Sequence, residues 1–293
     1  MKKPRHKSQI KSFSDFLYSH SIFTDKKIIT LFKDRKINMF CIDMGINPEH
    51  IIDLVEIQRH VYNLDFYGEQ SWLLNQIILD NLWSELLKSI TSMDIEYNSI
   101  KRHVDDIKKY QHIEENMRIG ILTTDVPIDY YYYLKTCDVR LSRNILMEKS
   151  KNNPNQKRMN AWYLYDLASE VIDDLTDWKE DLGTFNGNRY LQSVILKGHT
   201  STIEDYMKFI KNITESLKDY DSGIIKDMVR KRTLEAIELL INNERLLERI
   251  RVSRPYAKNF GIGNDNIKTI GTQGLVLYKN EIYENDLEIE SHV

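Results

Sequence analysis

The chain has 293 residues, of which 41% are apolar, 29% charged and 10% aromatic, and its formal net charge at pH 7 is -3. This composition is typical of a globular protein with one large or two small domains, and the small negative charge does not favour a nucleic-acid partner. The basic start 1-MKKPRHKSQIK lacks the apolar run of a secretory signal, and no apolar run is long enough to span a membrane. Two cysteines, Cys41 and Cys137, are too few for a disulfide framework, so we expect a cytoplasmic setting.

Apolar residues recur at three- and four-residue spacing along most of the chain, which predicts helices. Asn47 and Pro48 are expected to open one helix, as its N-cap and first helical residue, and this helix should end at about His60 or Leu64. The other predicted helices cover roughly residues 8–20, 24–36, 69–92, 97–118, 127–149, 157–182, 201–219 and 222–251.

Residues 1–260 are therefore predicted to form a single all-α domain. The helical pattern weakens after Pro255, and residues 261–293 are predicted to form a flexible arm or a short hairpin around 274-GLVLYKNEIY. A homodimer is compatible with this pattern.

The segment 170-EVIDDLTDWKEDLGTFNGN-188 places a row of carboxylates along one side of its predicted helix. With Asp173 as the reference, Asp166, Glu170 and Asp177 fall within about 60° of it and Asp181 within about 80°. Like charges one turn apart destabilise a helix by roughly 0.2–0.5 kcal/mol per pair, and this acidic stripe contains no lysine or arginine that would offset the repulsion. Trp162 lies at its head, and the opposite side is apolar, with Leu164, Leu167, Ala168, Val171 and Leu175.

Spacing alone leaves two interpretations of the acidic stripe open. It is either the solvated face of a surface helix or a site for a divalent cation. On one helix, Asp173, Asp177 and Asp181 would span about 12 Å. Mg²⁺ prefers carboxylate and water oxygens and is usually held together with substrate phosphates, so a diphosphate could complete such a site.

The segment 173-DDLTDWKEDLGTFNGNRYLQSVILKGHTSTIEDY-206 resembles the second metal motif and the following helix of class I terpene synthases. That motif reads (N/D)D-L-x-(S/T/D)-x-x-x-(E/D), and the all-acid form found here is also similar to squalene and phytoene synthases of the same superfamily. The similarity covers about 35 residues. The motif is filled by Asp173, Asp174, Leu175, Asp177 and Asp181, and the downstream landmarks by Asn188, Val194-Ile195-Leu196, Gly198 and Glu204-Asp205.

This resemblance implies a single terpenoid-synthase-like bundle of about ten helices around a central cavity. It implies that Asp173, Asp177 and Asp181 coordinate Mg²⁺, which binds a prenyl diphosphate, while Asp174 supports or packs the site. The implied activity is ionisation of an allylic diphosphate followed by cyclisation or elimination, or prenyl transfer of the squalene and phytoene synthase type. Aromatic faces would stabilise the allylic cation, and the candidate cavity-wall residues are Tyr131, Trp162, Trp72 and Trp83.

Basic residues in two places could contact the diphosphate. The segment 251-RVSRPY-256 resembles the Ser-x-Arg-Tyr closing motif of the family, although Pro255 separates Arg254 from Tyr256; the alternative is a basic helix end that complements the helix dipole. Arg189 and Lys197 follow the acidic helix, and each either reaches a diphosphate oxygen or is an exposed surface charge.

The first aspartate-rich motif of class I enzymes, DDxxD or similar, does not occur at the expected distance upstream. The best facing acid is Asp138 in 130-YYYYLKTCDVRLSRNIL-146, on an apolar helix side where a carboxylate needs a partner or a cation. Asp138 is therefore either a member of a buried ion pair or a fourth metal ligand. Arg140 is a further diphosphate candidate, although an ideal helix turns it about 160° away from Asp138.

A missing first motif is also compatible with lost catalysis. The alternative to an enzyme is an all-α interaction protein whose acidic face docks a basic partner. A di-iron helical protein would need Glu-x-x-His pairs, and the sequence contains none.

Overall fold

The computed structural model describes residues 24–70, 75–93, 95–118, 126–150, 155–178, 181, 187–220 and 223–247. In these ranges the chain forms eleven α-helices and no β-strand, which confirms the all-α prediction. None of the described helices combines the length and the apolar character that a membrane crossing needs. The terpenoid-synthase-like bundle and its central cavity stay predictions.

The helices follow one another closely, and two short 3-10 turns, Pro48–His50 and Leu217–Asp219, precede the third helix and follow the tenth. The helices are α1 (Thr24–Asp34), α2 (Ile37–Met44), α3 (Ile51–Gln70), α4 (Gln76–Thr91), α5 (Tyr97–Arg118), α6 (Ile128–Lys135), α7 (Cys137–Ser150), α8 (Gln156–Asp177), α9 (Arg189–Lys197), α10 (His199–Ser216) and α11 (Ile224–Leu247).

The chain divides into two compact units. The described residues of unit 1 lie within 1–101 and 141–153, and those of unit 2 within 102–140 and 154–293. Two of the three divisions fall inside α5 and α7, and the third lies between α7 and α8. All candidate site residues that the structure describes on the acidic stripe and around it belong to unit 2. The domain boundary predicted at residue 260 lies outside the described residues.

In unit 1, α3 packs against α4 and α1. The core of this unit includes the fully buried Phe40 and Leu54. The buried guanidinium of Arg143 lies 4.8 Å from the centre of the Phe40 ring and donates a hydrogen bond to the carbonyl oxygen of Arg35 at 3.0 Å. A charged side chain is therefore accommodated in this core by stacking and by a backbone acceptor.

Helix α8 is the central element of unit 2. It packs along α11, and α11 in turn contacts α10. Val171 on α8 and Leu240 on α11 are fully buried. The side-chain amide of Asn243 on α11 donates to the carbonyl oxygen of Leu175 at 2.7 Å, so a carbonyl group near the end of α8 is satisfied by a neighbouring helix rather than by a further helical turn.

Several predicted helix limits are corrected by the structure. Asn47 is an N-cap, since its side chain accepts from the amide of Glu49 at 3.1 Å, but it opens a 3-10 turn, and α3 then continues to Gln70. The predicted helix 127–149 is divided at Thr136 into α6 and α7. Helices α2 and α9 were missed, because two turns are too short for the helical period to stand out.

We expect Leu240→Ala to lower the free energy of unfolding by about 2–5 kcal/mol, because it removes a fully buried side chain and leaves a cavity. Leu234→Ala on the same helix is the matched control, since Leu234 is 62% exposed and should change stability by no more than about 0.5 kcal/mol. Urea unfolding followed by circular dichroism measures both. Equal losses in the two variants would contradict the packing of α11 described above.

Candidate functional site

The acidic stripe of α8 runs from the interior of unit 2 to its surface. Trp162 and Asp166 are buried, with 1% and 3% of their surface exposed. Farther along, the side chain of Glu170 is 13% exposed and that of Asp173 is 57% exposed, while Asp177 is half-buried. The stripe is therefore not a solvated face along its whole length; its exposed end begins at Asp173, its most exposed carboxylate, and continues to the half-buried Asp177.

A cation that the acidic stripe lacks is supplied by the last residue of α6. The ammonium of Lys135 lies 3.5 Å from Asp173 Oδ2 and 3.9 Å from Glu170 Oε2, and it donates a closer hydrogen bond to Asp174 Oδ1. Burial alone would lower the pKa of Lys135, but these three carboxylates raise it well above its usual value. Lys135 is therefore a buried ammonium that offsets the repulsion within the stripe.

Asp174 is the most deeply buried carboxylate of the region, with no exposed surface. Besides Lys135, its side chain accepts a hydrogen bond from the Tyr132 hydroxyl at 2.6 Å and one from the backbone amide of Arg189 at 2.9 Å. The Tyr132 hydroxyl is also 2.7 Å from the hydroxyl of Tyr206 on α10. One carboxylate thus joins α6, α8 and α9 and is linked to α10. The role that the resemblance implies for Asp174 at a metal site stays a prediction.

Asp181 does not lie on α8, which ends at Asp177. The predicted ladder of three carboxylates on one helix is therefore wrong at its last step. The physical reason lies in the side-chain amides that take the last carbonyl groups, since Asn188 Nδ2 donates to the carbonyl oxygen of Asp174 at 2.8 Å. The same amide group donates to Asp181 Oδ2 at 2.7 Å. Burial raises the pKa of Asp181 to about 7, although the Asn188 hydrogen bond lowers it.

The turn before α9 is shaped by Gly187 and Asn188. Asn188 is the N-cap of α9, and its side chain accepts from the amide of Leu191 at 2.9 Å. Gly187 has a φ of +63°, and its carbonyl oxygen accepts a hydrogen bond from the Tyr131 hydroxyl. A Cβ atom at residue 187 would collide with the hydroxyl of Tyr110 and the carboxylate of Glu114. Glycine is therefore required here both by the backbone and by its neighbours.

The four predicted metal ligands do not form a site made of protein atoms alone. Within the described ranges, no three His, Cys, Asp or Glu side chains are placed to hold a metal ion together. Asp138 is 8% exposed, and its carboxylate accepts from the amide of Val139 in the first turn of α7 at 2.6 Å. The hydrogen bond from the Val139 backbone amide explains in part how a carboxylate is tolerated on this apolar side of α7.

Arg140 is engaged within unit 2. It is buried, donates to Asp106 Oδ2 at 3.2 Å and to the carbonyl oxygen of Tyr133 at 2.6 Å, and its guanidinium stacks 3.7 Å from the centre of the Tyr133 ring. A contact between Arg140 and a diphosphate stays a prediction from the sequence. To make that contact, these guanidinium N–H groups would have to leave Asp106 and the Tyr133 carbonyl oxygen.

The two basic residues after the acidic helix differ in their surroundings. Arg189 is buried rather than an exposed surface charge; its guanidinium donates to Gln192 Oε1 at 2.6 Å and to the carbonyl oxygen of Val126 at 3.2 Å. The side chain of Lys197 is 37% exposed and forms an ion pair with Asp205 at 2.5 Å. None of these three contacts involves a carboxylate of the acidic stripe.

Two of the four aromatic candidates for a cavity wall, Tyr131 and Trp162, are buried in unit 2. Tyr131 makes edge-to-face contacts with Tyr110 and Tyr132 at centroid distances of 5.9 and 5.5 Å. Trp162 makes a similar contact with Tyr165 at 5.8 Å. Both are packed against other rings, so their role as walls of a substrate cavity stays a prediction. Trp83 is half-buried in unit 1; Trp72, Arg254 and Tyr256 lie outside the described residues.

Sequence reasoning missed Lys135, the residue that supplies the positive charge. It is 38 residues from Asp173 along the chain, and the helix period places residues only within one helix. No signal in the spacing of α8 could have identified it. A buried lysine at the end of a tyrosine-rich helix becomes conspicuous only once α6 and α8 are seen side by side.

No protein-family model matches this chain, and neither does any curated protein or solved structure compared with it.

We expect Gly187→Ala to destabilise the protein by about 2 kcal/mol or more, because it combines an unfavourable left-handed backbone with a collision of the new Cβ. Gly45→Ala is the matched control. Gly45 also has a positive φ, +68°, but nothing lies within 4 Å of the Cβ position, so only the backbone cost of roughly 1–2 kcal/mol applies. Thermal or urea unfolding measures the difference, and an equal loss in both variants would show that the collision is relieved.

The raised pKa of Asp181 predicts a loss of stability between about pH 4 and pH 7. The folded state binds the proton more tightly than the unfolded state, whose carboxyl has a pKa near 3.8, so the free energy of unfolding decreases as the pH rises. The full effect is up to about 4 kcal/mol. Asp181→Asn keeps an acceptor for Asn188 but cannot ionise, and it should flatten the pH profile measured by urea unfolding. An unchanged profile would contradict the prediction.

Proposed function

We propose that the exposed end of the acidic stripe binds Mg²⁺ together with a prenyl diphosphate, and that the protein ionises this substrate as a class I terpene synthase-like lyase or as a prenyltransferase. The observation that carries the proposal is the exposed carboxylate of Asp173 one helical turn before Asp177, next to a buried part of the stripe that is already paired. The register with the second metal motif of the family, and the all-α fold, support the same reading.

The two carboxylates of Asp173 and Asp177 suit the way in which Mg²⁺ usually binds together with a phosphate substrate. Such ions keep several waters and take only one or two carboxylates from the protein, and the substrate phosphates provide further oxygens. Asp173 and Asp177 are the two carboxylates, and Asp181 lies within electrostatic range of Asp173. A group of three protein ligands is not needed for such a site. The ion would neutralise negative charge as it develops on the leaving diphosphate.

The residues around Asp173 prepare a charged environment before the substrate arrives. Lys135 holds an ammonium beside Asp173, where it could also attract the diphosphate. Asp174 fixes this ammonium from the buried side and binds the amide at the start of α9. Charges that are already in place stabilise a transition state without reorganisation during the reaction.

An interaction protein with a long acidic surface is less well supported. Its docking face would require solvent-exposed carboxylates along α8, whereas Asp166 is buried and Glu170 is largely covered. The described surface of the stripe is therefore short, and it carries a neighbouring ammonium.

The proposal predicts that pyrophosphate with Mg²⁺ raises the melting temperature of the protein, whereas pyrophosphate with a chelator does not. At a concentration one hundred times its Kd, a ligand stabilises the folded state by about 2.7 kcal/mol. Asp173→Asn and Asp177→Asn should each reduce the shift strongly. Asp227→Asn on α11 is the control, because that side chain is 82% exposed and lies on another helix. An unchanged wild-type melting temperature at saturating pyrophosphate and Mg²⁺ would contradict diphosphate binding.

The class of reaction is identified by incubation with farnesyl or geranylgeranyl diphosphate and determination of the product mass. A lyase releases a hydrocarbon with the carbon number of one substrate, and a prenyltransferase of the squalene and phytoene type joins two. Recovery of intact substrate, with the thermal shift present, would leave a diphosphate-binding protein without this activity.

A further inference from the structure

Lys135 is shared between a buried carboxylate beside the acidic stripe, Asp174, and the exposed end of the stripe. Its ammonium contacts Asp174, which has no exposed surface, and also lies 3.5 Å from Asp173, the exposed carboxylate. The Lys135 side chain is itself 11% exposed. One protein cation therefore pairs with the carboxylate that a metal ion would need.

We propose that Lys135 and the divalent cation compete for the Asp173 carboxylate, so that the metal ion binds tightly only after a diphosphate has attracted the ammonium away. This inference rests on the proposed function and adds a dependence between the two ligands. The metal ion binds weakly on its own and tightly when diphosphate is bound as well.

The ammonium of Lys135 opposes a metal ion at Asp173 electrostatically. A divalent cation at Asp173 would lie close to the Lys135 ammonium, and two positive charges repel each other strongly in a partly buried site. The same ammonium already neutralises part of the negative charge that would attract the metal ion. Both effects weaken metal binding as long as Lys135 remains where it is.

The buried carboxylate of Asp174 keeps Lys135 in place. Moving its ammonium into water would leave the fully buried Asp174 without its cation, which is strongly unfavourable. A metal ion alone offers no compensation for this loss. A diphosphate does, because a lysine has three N–H donors on a flexible stem. It can turn from Asp173 toward a phosphate oxygen and keep its hydrogen bond to Asp174.

The consequence is a reciprocal coupling. If diphosphate removes the competitor of the metal ion, then the metal ion must raise the affinity for diphosphate by the same factor. Direct bonds between the metal ion and the phosphate oxygens also couple the binding of the two ligands. Substitution of Lys135 separates the part of this coupling that depends on its ammonium.

The test measures Mn²⁺ binding to the full chain by the electron paramagnetic resonance signal of free Mn²⁺, with and without inorganic pyrophosphate, and corrects for the soluble Mn²⁺–pyrophosphate complex. In the wild type we expect weak binding of Mn²⁺ alone and much tighter binding with pyrophosphate. Lys135→Met should lower the Kd for Mn²⁺ alone by about tenfold or more and should reduce the coupling. Lys211→Met, which removes an exposed lysine from an ion pair with Glu215 on α10, should change neither value.

Lys135→Met leaves Asp174 buried without its ammonium and could fail to fold. The double variant Lys135→Met with Asp174→Asn removes both members of the buried pair, and it should also bind Mn²⁺ alone more tightly than the wild type. If the folded variants bind Mn²⁺ alone no better than the wild type, the inference is overturned. It is also overturned if the wild type binds Mn²⁺ equally well with and without pyrophosphate. If the wild type binds no Mn²⁺ even with pyrophosphate, the proposed function itself fails.

Discussion

The buried carboxylate of Asp174 constrains unit 2 more than any other single group that the structure describes. Taking an ionised carboxylate out of water costs several kcal/mol unless its oxygens are matched by donors. The donors are Lys135 and the Tyr132 hydroxyl from α6 and the Arg189 amide at the start of α9. Since each donor has a fixed position on its own element, satisfying this one charge sets how α6, α8 and α9 lie together.

The surroundings of this charge show how a polar centre is held in an apolar core. The Tyr132 ring stacks on Phe209 at 5.5 Å and meets Tyr206 edge to face at 6.0 Å, so its hydroxyl is positioned by two neighbours on α10. Tyr190 on α9 makes a further edge-to-face contact with Tyr206 at a centroid distance of 5.5 Å. Hydrogen bonds in such a medium are electrostatically stronger than in water, and a missing partner is correspondingly costly. The rings therefore both exclude water and fix the donors of the network.

The fold class, most of the long helices and the stretch that carries the candidate site residues could be predicted from the sequence, because helical spacing and short motifs are local properties. Asn188 was visible as a landmark of the motif, and the structure makes it an N-cap that also binds Asp181. Two features were out of reach of the sequence. The end of α8 at Asp177 depends on amides from Asn188 and Asn243, which belong to later segments. The counter-charge of the stripe comes from Lys135 on another helix.

The position of Lys135 gives two neighbouring carboxylates of α8, the buried Asp174 and the exposed Asp173, different electrostatic surroundings. Toward the interior, the charge of Asp174 is met by an ammonium, a hydroxyl and an amide, so this part is closed to further cations and stabilises the packing. Toward the surface, Asp173 Oδ2 lies farther from the same ammonium, at 3.5 Å, and the Asp173 side chain is largely exposed. The ammonium that stabilises the buried Asp174 thus also offsets part of the repulsion between the carboxylates along α8.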